Sequence, residues 1–530
     1  MSSYDVTVSG FAGIRSSNRI LAGSIGRNTF FGVAGSLFQM GLKLVSVPIV
    51  IRYLGLDGYG VWAVLMTVAA YMSLGSAGVK SAFQKYAAEA TGTGDFERAS
   101  RLITTGTAVV LVLSVVALIP VAMFSHALAR AVGVPPRFLD SAAHAILYLA
   151  FIMVLVNTGS SYQAILMGAH RIDLQKKFNM AFTAFQVIAS VLLLYVGCGL
   201  LAMAAVFGIA EVGELLVCCF VARRIVPAIQ LAPRHLSRSV LGNLGTFAGS
   251  YQLVSMLEAL FGVIFSVTVL KFYGAHASGV LAIAGRLVGA AAVVQGSFLQ
   301  AILSGGSLVY ASSSVERLRL FLVKSFKVTL SLSIVPLGFI GGFGTLIVLA
   351  WTGQTDSSFR VVLWVLCLTS LFRSLSAVSR VLYRVSGGGL MDNVQLVSMI
   401  MVLLCFCLFA RQIGFLGIAT GAMFAQIVGM LVIWRSLSRT FRGFRARTLM
   451  PDLLRLVAAT AVTLAAAAMV AHVGAPWGAS ARFLAVIRLG AVSLVALAVA
   501  GPALLLTGSV SRTEARTILD TLRGRAGVPA

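Results

Sequence analysis

Three arginines, Arg373, Arg380 and Arg384, stand at i, i+7 and i+11 in the segment FRSLSAVSRVLYR. At 3.6 residues per turn that spacing gathers them near one helical face. Guanidinium groups bind anionic oxygens through paired, charge-assisted hydrogen bonds, so the row is suited to an anion. Four more charges, Lys43, Glu211, Glu258 and Arg286, also lie deep inside apolar runs. Lys43 is about eight residues, ~12 Å along a helix, from the nearer end of its run. A charge at the centre of a membrane helix costs roughly 2.5–3.5 kcal/mol on insertion scales, so such groups face a cavity or a partner. One reading is a cationic binding cleft of Lys43, Arg286, Arg373, Arg380 and Arg384, with Glu211 and Glu258 as coupling or ion-pairing groups. In the other, Arg384 and Arg380 snorkel to the membrane surface and Arg373 is held by Glu211 or Glu258. Lys324, Lys327, Arg455 and Glu214 stand nearer the end of a run and are expected to snorkel as well.

Other chemistries lack their residues. No GxxxxGK[ST] phosphate loop occurs, so the chain is not expected to hydrolyse ATP. The six cysteines fall within apolar runs without a CxxC pair, and the histidines are scattered singly, so neither disulfides, a metal site nor a cofactor is expected. The longest non-cytoplasmic loop, His126 to Ser141, is too short to house the external domain that polytopic glycan-transferring enzymes use. An enzyme is not expected.

The elements that must position these charges follow from composition. Of 530 residues, 59% are hydrophobic and 11% charged, and the mean hydropathy is +0.96. Soluble domains carry about 25% charged residues. Apolar runs of about 20 residues, enough to cross a bilayer core, recur throughout, and predict an all-α polytopic membrane protein rather than a barrel of short alternating strands. Fourteen spans are expected, near 28–51, 58–79, 102–125, 142–168, 179–199, 201–222, 243–270, 277–303, 320–350, 360–383, 391–410, 412–434, 452–473 and 485–508. The first 27 residues lack the compact apolar core of a cleaved signal peptide. The net charge of +25 does not predict nucleic-acid binding, because no soluble stretch is long enough to fold as a binding domain. With the N-terminus inside, 26 Lys and Arg fall in cytoplasmic segments against 6 in opposite loops and 9 within spans, which predicts that both termini are cytoplasmic. The five arginines of Arg435 to Arg447 are expected to lie on anionic lipid headgroups.

The chain also repeats itself. Lys43 to Val64 matches Gly262 to Ile283 at an offset of 219, pairing Gly55 with Gly274 and Gly60 with Gly279. The offset persists at Glu97-Arg98 and Glu316-Arg317, and drifts to 216 at Ile165/Val381 and 215 at Leu201/Leu416. Six spans per copy give both the same orientation, so the copies should be related by an axis along the membrane normal. The expected organisation is an N-terminal lobe (1–222), a cytoplasmic linker (223–242), a C-terminal lobe (243–434), a basic cytoplasmic loop (435–451), two unduplicated spans (452–510) and a cytoplasmic tail (511–530). Glu258 falls opposite Gln39, and Arg373 opposite Asn157, which suits a central cleft lined by both halves.

The stretch PIVIRYLGLDGYGVWAVLMTVAAYMSLGSAGVKSAFQKYAAE resembles the first two spans of the polysaccharide and O-antigen flippases in the multidrug/oligosaccharidyl-lipid/polysaccharide (MOP) exporter superfamily. Pro48, Arg52, Leu54-Gly55, Tyr59-Gly60, Leu74, Gly78 and Ala82 carry the resemblance, with KFYGAHASGVLAIAGRL (Lys271 to Leu287) further along. Ser76 stands where the family often has an acid, and the nearest acid of the seventh span is Glu258. The resemblance implies two bundles forming a V that work by alternating access in a bacterial inner membrane. The implied cargo is an undecaprenyl-pyrophosphate-linked oligosaccharide for O-antigen, capsule or exopolysaccharide synthesis. Membrane lipids, a glycan polymerase and glycosyltransferases are the implied partners. The pyrophosphate would pass along Arg384, Arg380 and Arg373 toward Arg286 and Lys43. Alternatives within the superfamily are a lipid II flippase and a cation-coupled drug exporter; outside it, a non-transporting scaffold of a glycan-assembly complex.

Overall fold

In hydrocarbon every backbone N–H and C=O must be satisfied within the structure, and a long apolar run does this as a helix. The computed structural model describes residues 9–72, 83, 87, 94–169, 171–237, 239–312, 315–385, 389–440, 450–471 and 481–506, and all regular structure among them is helical. The helices are α1 (Ser9–Met72), α2 (Phe96–Val132), α3 (Leu139–Gly168), α4 (Ile172–Tyr195), α5 (Leu200–Ile225), α6 (Ser239–Ser312), α7 (Val315–Thr352), α8 (Ser358–Val385), α9 (Gly389–Leu408), α10 (Ala410–Thr440), α11 (Met450–Ala471) and α12 (Ala481–Leu506). Among the described residues twelve helical segments are long and apolar enough to cross a membrane. The expected fourteen spans count the parts of α1 and α6 on either side of Gly55 and Gly274 separately. At both glycines the backbone leaves the helix, with φ 72° and ψ 173° at Gly55 and φ 81° and ψ 179° at Gly274. A Cβ strongly disfavours that conformation, so the repeated glycine is a backbone requirement met twice. Two other positive-φ pairs, Gly133/Gly353 and Gly197/Gly414, recur at nearly the same offset. The tail from Ser511, residues 441–449 of the basic loop, and the Ser76 and Gly78 positions lie outside the described residues.

The chain divides into two compact units, one of residues 1–46, 68–129 and 139–255, the other of 47–67, 130–138 and 256–530. In the first, α3 packs on α5 and α4 on α5, around a core that includes Ile103, Ile165, Leu166 and Cys218. The second repeats this order, α8 on α10 and α9 on α10, and adds α7, α11 and α12. Leu330, Ile334, Leu375, Met430 and Leu456 form one of its cores, beside Trp434, whose indole N–H donates to the Leu375 carbonyl at 3.1 Å.

Within the second unit the two sequence copies meet through equivalent residues. A Cβ on Gly60 would lie 2.1 Å from the Ala275 carbonyl oxygen, and one on Gly279 would lie 2.5 Å from that of Leu56. Leu56 and Ala275 are themselves a repeat pair at offset 219, so the contact is reciprocal, as a two-fold axis demands. Small residues permit such close backbone approach. The Ser278 hydroxyl adds a hydrogen bond to the Gly60 carbonyl at 3.2 Å.

Beside this crossing, four loops predicted to be non-cytoplasmic are tied by a ladder of charges. Arg137 donates to Asp57; His276 Nδ1 lies 3.6 Å from Asp57 Oδ1, and its Nε2 donates to Asp356 Oδ2 at 2.6 Å. Asp57 and His276 are repeat equivalents, as are Arg137 and Asp356, so the two copies contribute the same pair with opposite polarity. Asp356 Oδ1 also accepts the Ser358 N–H at 2.7 Å and so caps the start of α8. These hydrogen bonds, His276 first and then the Ser358 backbone, hold the Asp356 carboxyl below its ordinary range.

Two predictions follow from these contacts. Gly60→Ala and Gly279→Ala should each lower the thermal midpoint in detergent, by a cost of about 1–3 kcal/mol or more for overpacking. Gly490→Ala, where an added Cβ meets nothing within 4 Å, should not. Because the folded pKa of Asp356 is depressed, its contribution is present above the unfolded carboxylate pKa of about 3.9 and is lost as pH falls through the folded value. Asp356→Asn should therefore start with a lower midpoint at pH 7 and lose less on acidification than the wild type.

Candidate binding cavity and its arginines

Helices α6, α8, α9 and α10 of the second unit enclose a cavity of about 540 Å³. Its charged lining groups are Glu258 from α6 and Arg373 and Arg380 from α8; Gln295, Gln395 and Gln426 supply amides from α6, α9 and α10. Small residues, Gly262, Gly285, Gly289 and Ala292 on α6, leave the space that larger side chains would fill. The Ser374 hydroxyl lies 3.0 Å from Gln295 Oε1 and 2.8 Å from the Ser370 carbonyl, and its single proton is shared between these two acceptors in the wall between the arginines and α6.

The charges are not neutralised in pairs. Arg380 Nη1 donates to Glu258 Oε1 at 2.8 Å, whereas Arg373 stands mid-helix with its side chain open to the cavity. Among the described residues one carboxylate thus faces two guanidinium groups. Arg380 Nε and Gln395 Oε1 are buried without a hydrogen-bond partner. A buried polar group left unpaired costs about 1–3 kcal/mol, so both atoms call for a polar partner that the protein does not itself supply.

The expected cleft residues separate as follows. Arg373 and Arg380 share the cavity with Glu258. Arg286, also on α6, is set apart from it, its guanidinium 5.8 Å from the centre of the Tyr59 ring. Lys43 and Glu211 belong to the first unit, Lys43 exposed and Glu211 half-buried. The Arg384 side chain lies outside the described residues. Two expectations of snorkelling are corrected. The Arg380 side chain is 17% exposed and bonded to Glu258, because a carboxylate on the facing helix is closer than any surface. Glu214 is 3% exposed and accepts Gln163 Nε2 at 3.2 Å and Asn179 Nδ2 at 2.7 Å; Gln39 in turn donates to Asn179. That amide network was missed by sequence reasoning, although three amides within apolar runs were a signal for it.

The repeat explains the contrast. Gln39, Asn157, Asn179 and Glu211 of the first copy correspond, at offsets of 219, 216, 216 and 215, to Glu258, Arg373, Gln395 and Gln426. Both copies are polar at these positions, but arginine appears in the second alone. Asn157 donates to Ser114 at 3.3 Å, a neutral bond that leaves no net charge there.

The MatE family model matches residues 33–196. Among solved structures, a lipid II flippase, MurJ, in an inward closed conformation is similar with a TM-score of 0.69 and 14% identity over 90% of this chain and 98% of that one. An inward-facing multidrug resistance MATE family transporter of the MOP superfamily has a TM-score of 0.59 and 17% identity, over 77% and 96%. A MOP superfamily transporter from Pyrococcus furiosus, described by the reverse polarity of its binding pocket, has a TM-score of 0.58 and 16% identity, over 79% and 95%. The fold is that of MOP-superfamily transporters. No curated protein matches the chain in sequence.

Proposed function

We propose that the chain is a flippase that moves an undecaprenyl-pyrophosphate-linked oligosaccharide across a bacterial inner membrane by alternating access, in O-antigen, capsule or exopolysaccharide synthesis. The observation that carries this reading is the Arg373–Arg380 pair, two guanidinium groups with one carboxylate, bonded to Arg380, in a cavity whose other lining combines amides and small residues with apolar side chains such as Phe261, Leu366 and Met399. A pyrophosphate supplies several anionic oxygens for planar, bidentate donors. The glycan would occupy hydrated space while the prenyl chain stays in lipid. The cavity volume of about 540 Å³ suits a headgroup with the first part of a glycan rather than a whole polymer.

The likeness to a lipid II flippase over 90% of the chain favours a second reading, with lipid II as the cargo. A drug exporter for organic cations fits less well, since a cationic guest would meet two arginines and one acid. The name of the Pyrococcus furiosus transporter indicates that pocket polarity varies within this fold. Arg286 and Lys43 are proposed to receive the headgroup later in the cycle. Glycosyltransferases and a polymerase are the partners that would supply and consume such a cargo.

The test is complementation at matched expression, in a host lacking its own glycan flippase and in one depleted of its lipid II flippase. Arg373→Ala should reduce surface glycan at least about tenfold, and Arg373→Lys should restore only part of it, because a point charge lacks the planar fork. Arg384→Ala should do less, acting on capture. Rescue of the lipid II-depleted host alone would select the second reading, and wild-type surface glycan from Arg373→Ala would exclude the first.

A further inference from the structure

Resting on the anionic-cargo reading above, we propose that Glu258 is an exchangeable counter-ion: a cargo phosphate displaces it from Arg380, and the released carboxylate takes up one proton from water. Loading the cavity and protonating the protein would then be one event.

The pair is asymmetric in a way that suits exchange. The Glu258 side chain is 48% exposed, whereas that of Arg380 is 17% exposed. The arginine is the embedded partner and the carboxylate the one that water can reach. Arg380 uses Nη1 for Glu258 and leaves Nε buried and unpartnered, so its present partner does not use the full fork. A phosphate can accept from two edges of the guanidinium and reach Arg373, which a single carboxylate on α6 does not bond.

Once displaced, Glu258 meets no cation other than Arg373 among the described residues that line the cavity. The remaining charged lining group is Arg373, which the same anion would engage; α9 and α10 face the cavity with Gln395 and Gln426, and the rest of α6 with Gln295. Asp392, about a turn before Gln395 on α9, is fully buried and does not line the cavity. Arg286 is directed to Tyr59. A carboxylate beside a bound phosphate and away from its arginine favours the protonated form on both counts. The balance is simple: the Glu258–Arg380 hydrogen bond breaks, phosphate–guanidinium bonds form, and a proton from solvent closes the Glu258 carboxyl. Release of cargo reverses each step.

Titration calorimetry on the purified full-length protein, in two buffers of different ionisation enthalpy, measures protons taken up per ligand bound. Inorganic pyrophosphate and geranylgeranyl pyrophosphate are the two probes; tighter binding of the prenylated one identifies a lipid-borne source, and equal binding a free phosphate. The wild type should take up more protons per ligand than Glu258→Gln, and the variant should bind about tenfold more tightly because the internal competitor is gone. Glu258→Asp, which keeps the carboxyl, should retain the uptake and guards against misfolding of the first variant. Binding that Arg373→Ala weakens, but with equal proton uptake in wild type and Glu258→Gln, would overturn the exchange and leave the anionic cargo standing. Absence of binding by either probe would overturn both.

Discussion

Two glycines that touch through each other's neighbours set the geometry on which the second unit depends. Gly60 meets the Ala275 carbonyl and Gly279 meets the Leu56 carbonyl, both closer than any side chain permits. Because the four residues are two repeat pairs, the crossing is a pseudo-two-fold contact, and what happens on one side of it must be answered on the other. The charge ladder beside it obeys this rule with one twist. Asp57 with Arg137 in the first copy becomes His276 with Asp356 in the second, so the copies attract where identical residues would repel. Divergence of a duplicated unit has here turned a symmetric position into a complementary one.

The same divergence makes the cavity. Equivalent positions are three amides and a carboxylate in the first copy and a carboxylate, an arginine and two amides in the second, so polarity at those positions is common to both and arginine belongs to the second. Burying an arginine among helices is costly unless its donors are met. Arg380 is met in part, through Glu258, and Arg373 through the openness of the cavity. Neither arrangement maximises stability, since a second carboxylate or an apolar wall would serve that better. The unsatisfied Arg380 donor supports the proposed anionic cargo, because affinity would then come from a group that the protein leaves unpaired.

Much of the fold was legible from hydropathy alone, because spans in lipid must be long, apolar and helical. The repeat was legible through its glycines, since only backbone constraints kept Gly55/Gly274 and Gly60/Gly279 identical while apolar neighbours drifted. The face shared by Arg373 and Arg380 followed from helical spacing. What spacing could not supply was the partner. Depth along a helix suggested that Arg380 and Glu214 would snorkel, yet both are held by side chains on other helices, Glu258 for one and Gln163 and Asn179 for the other. Likewise Arg286 has the depth of a cleft residue, but Tyr59, an aromatic ring from the other copy, is its neighbour. Depth is a one-dimensional property, and pairing requires knowing which helix faces which.

The central claim is that the α6–α8 cavity holds the anionic head of a lipid-linked cargo. Photo-crosslinking with a prenyl pyrophosphate bearing a diazirine close to the phosphates, followed by mass spectrometry of the labelled peptides, addresses it directly. The account requires label on the cavity-lining parts of α6 and α8, near Gly285 to Leu299 and Leu366 to Arg380, with labelling suppressed by excess pyrophosphate and by Arg373→Ala. Label confined to other helices, or labelling of these peptides that Arg373→Ala leaves unchanged, would contradict it.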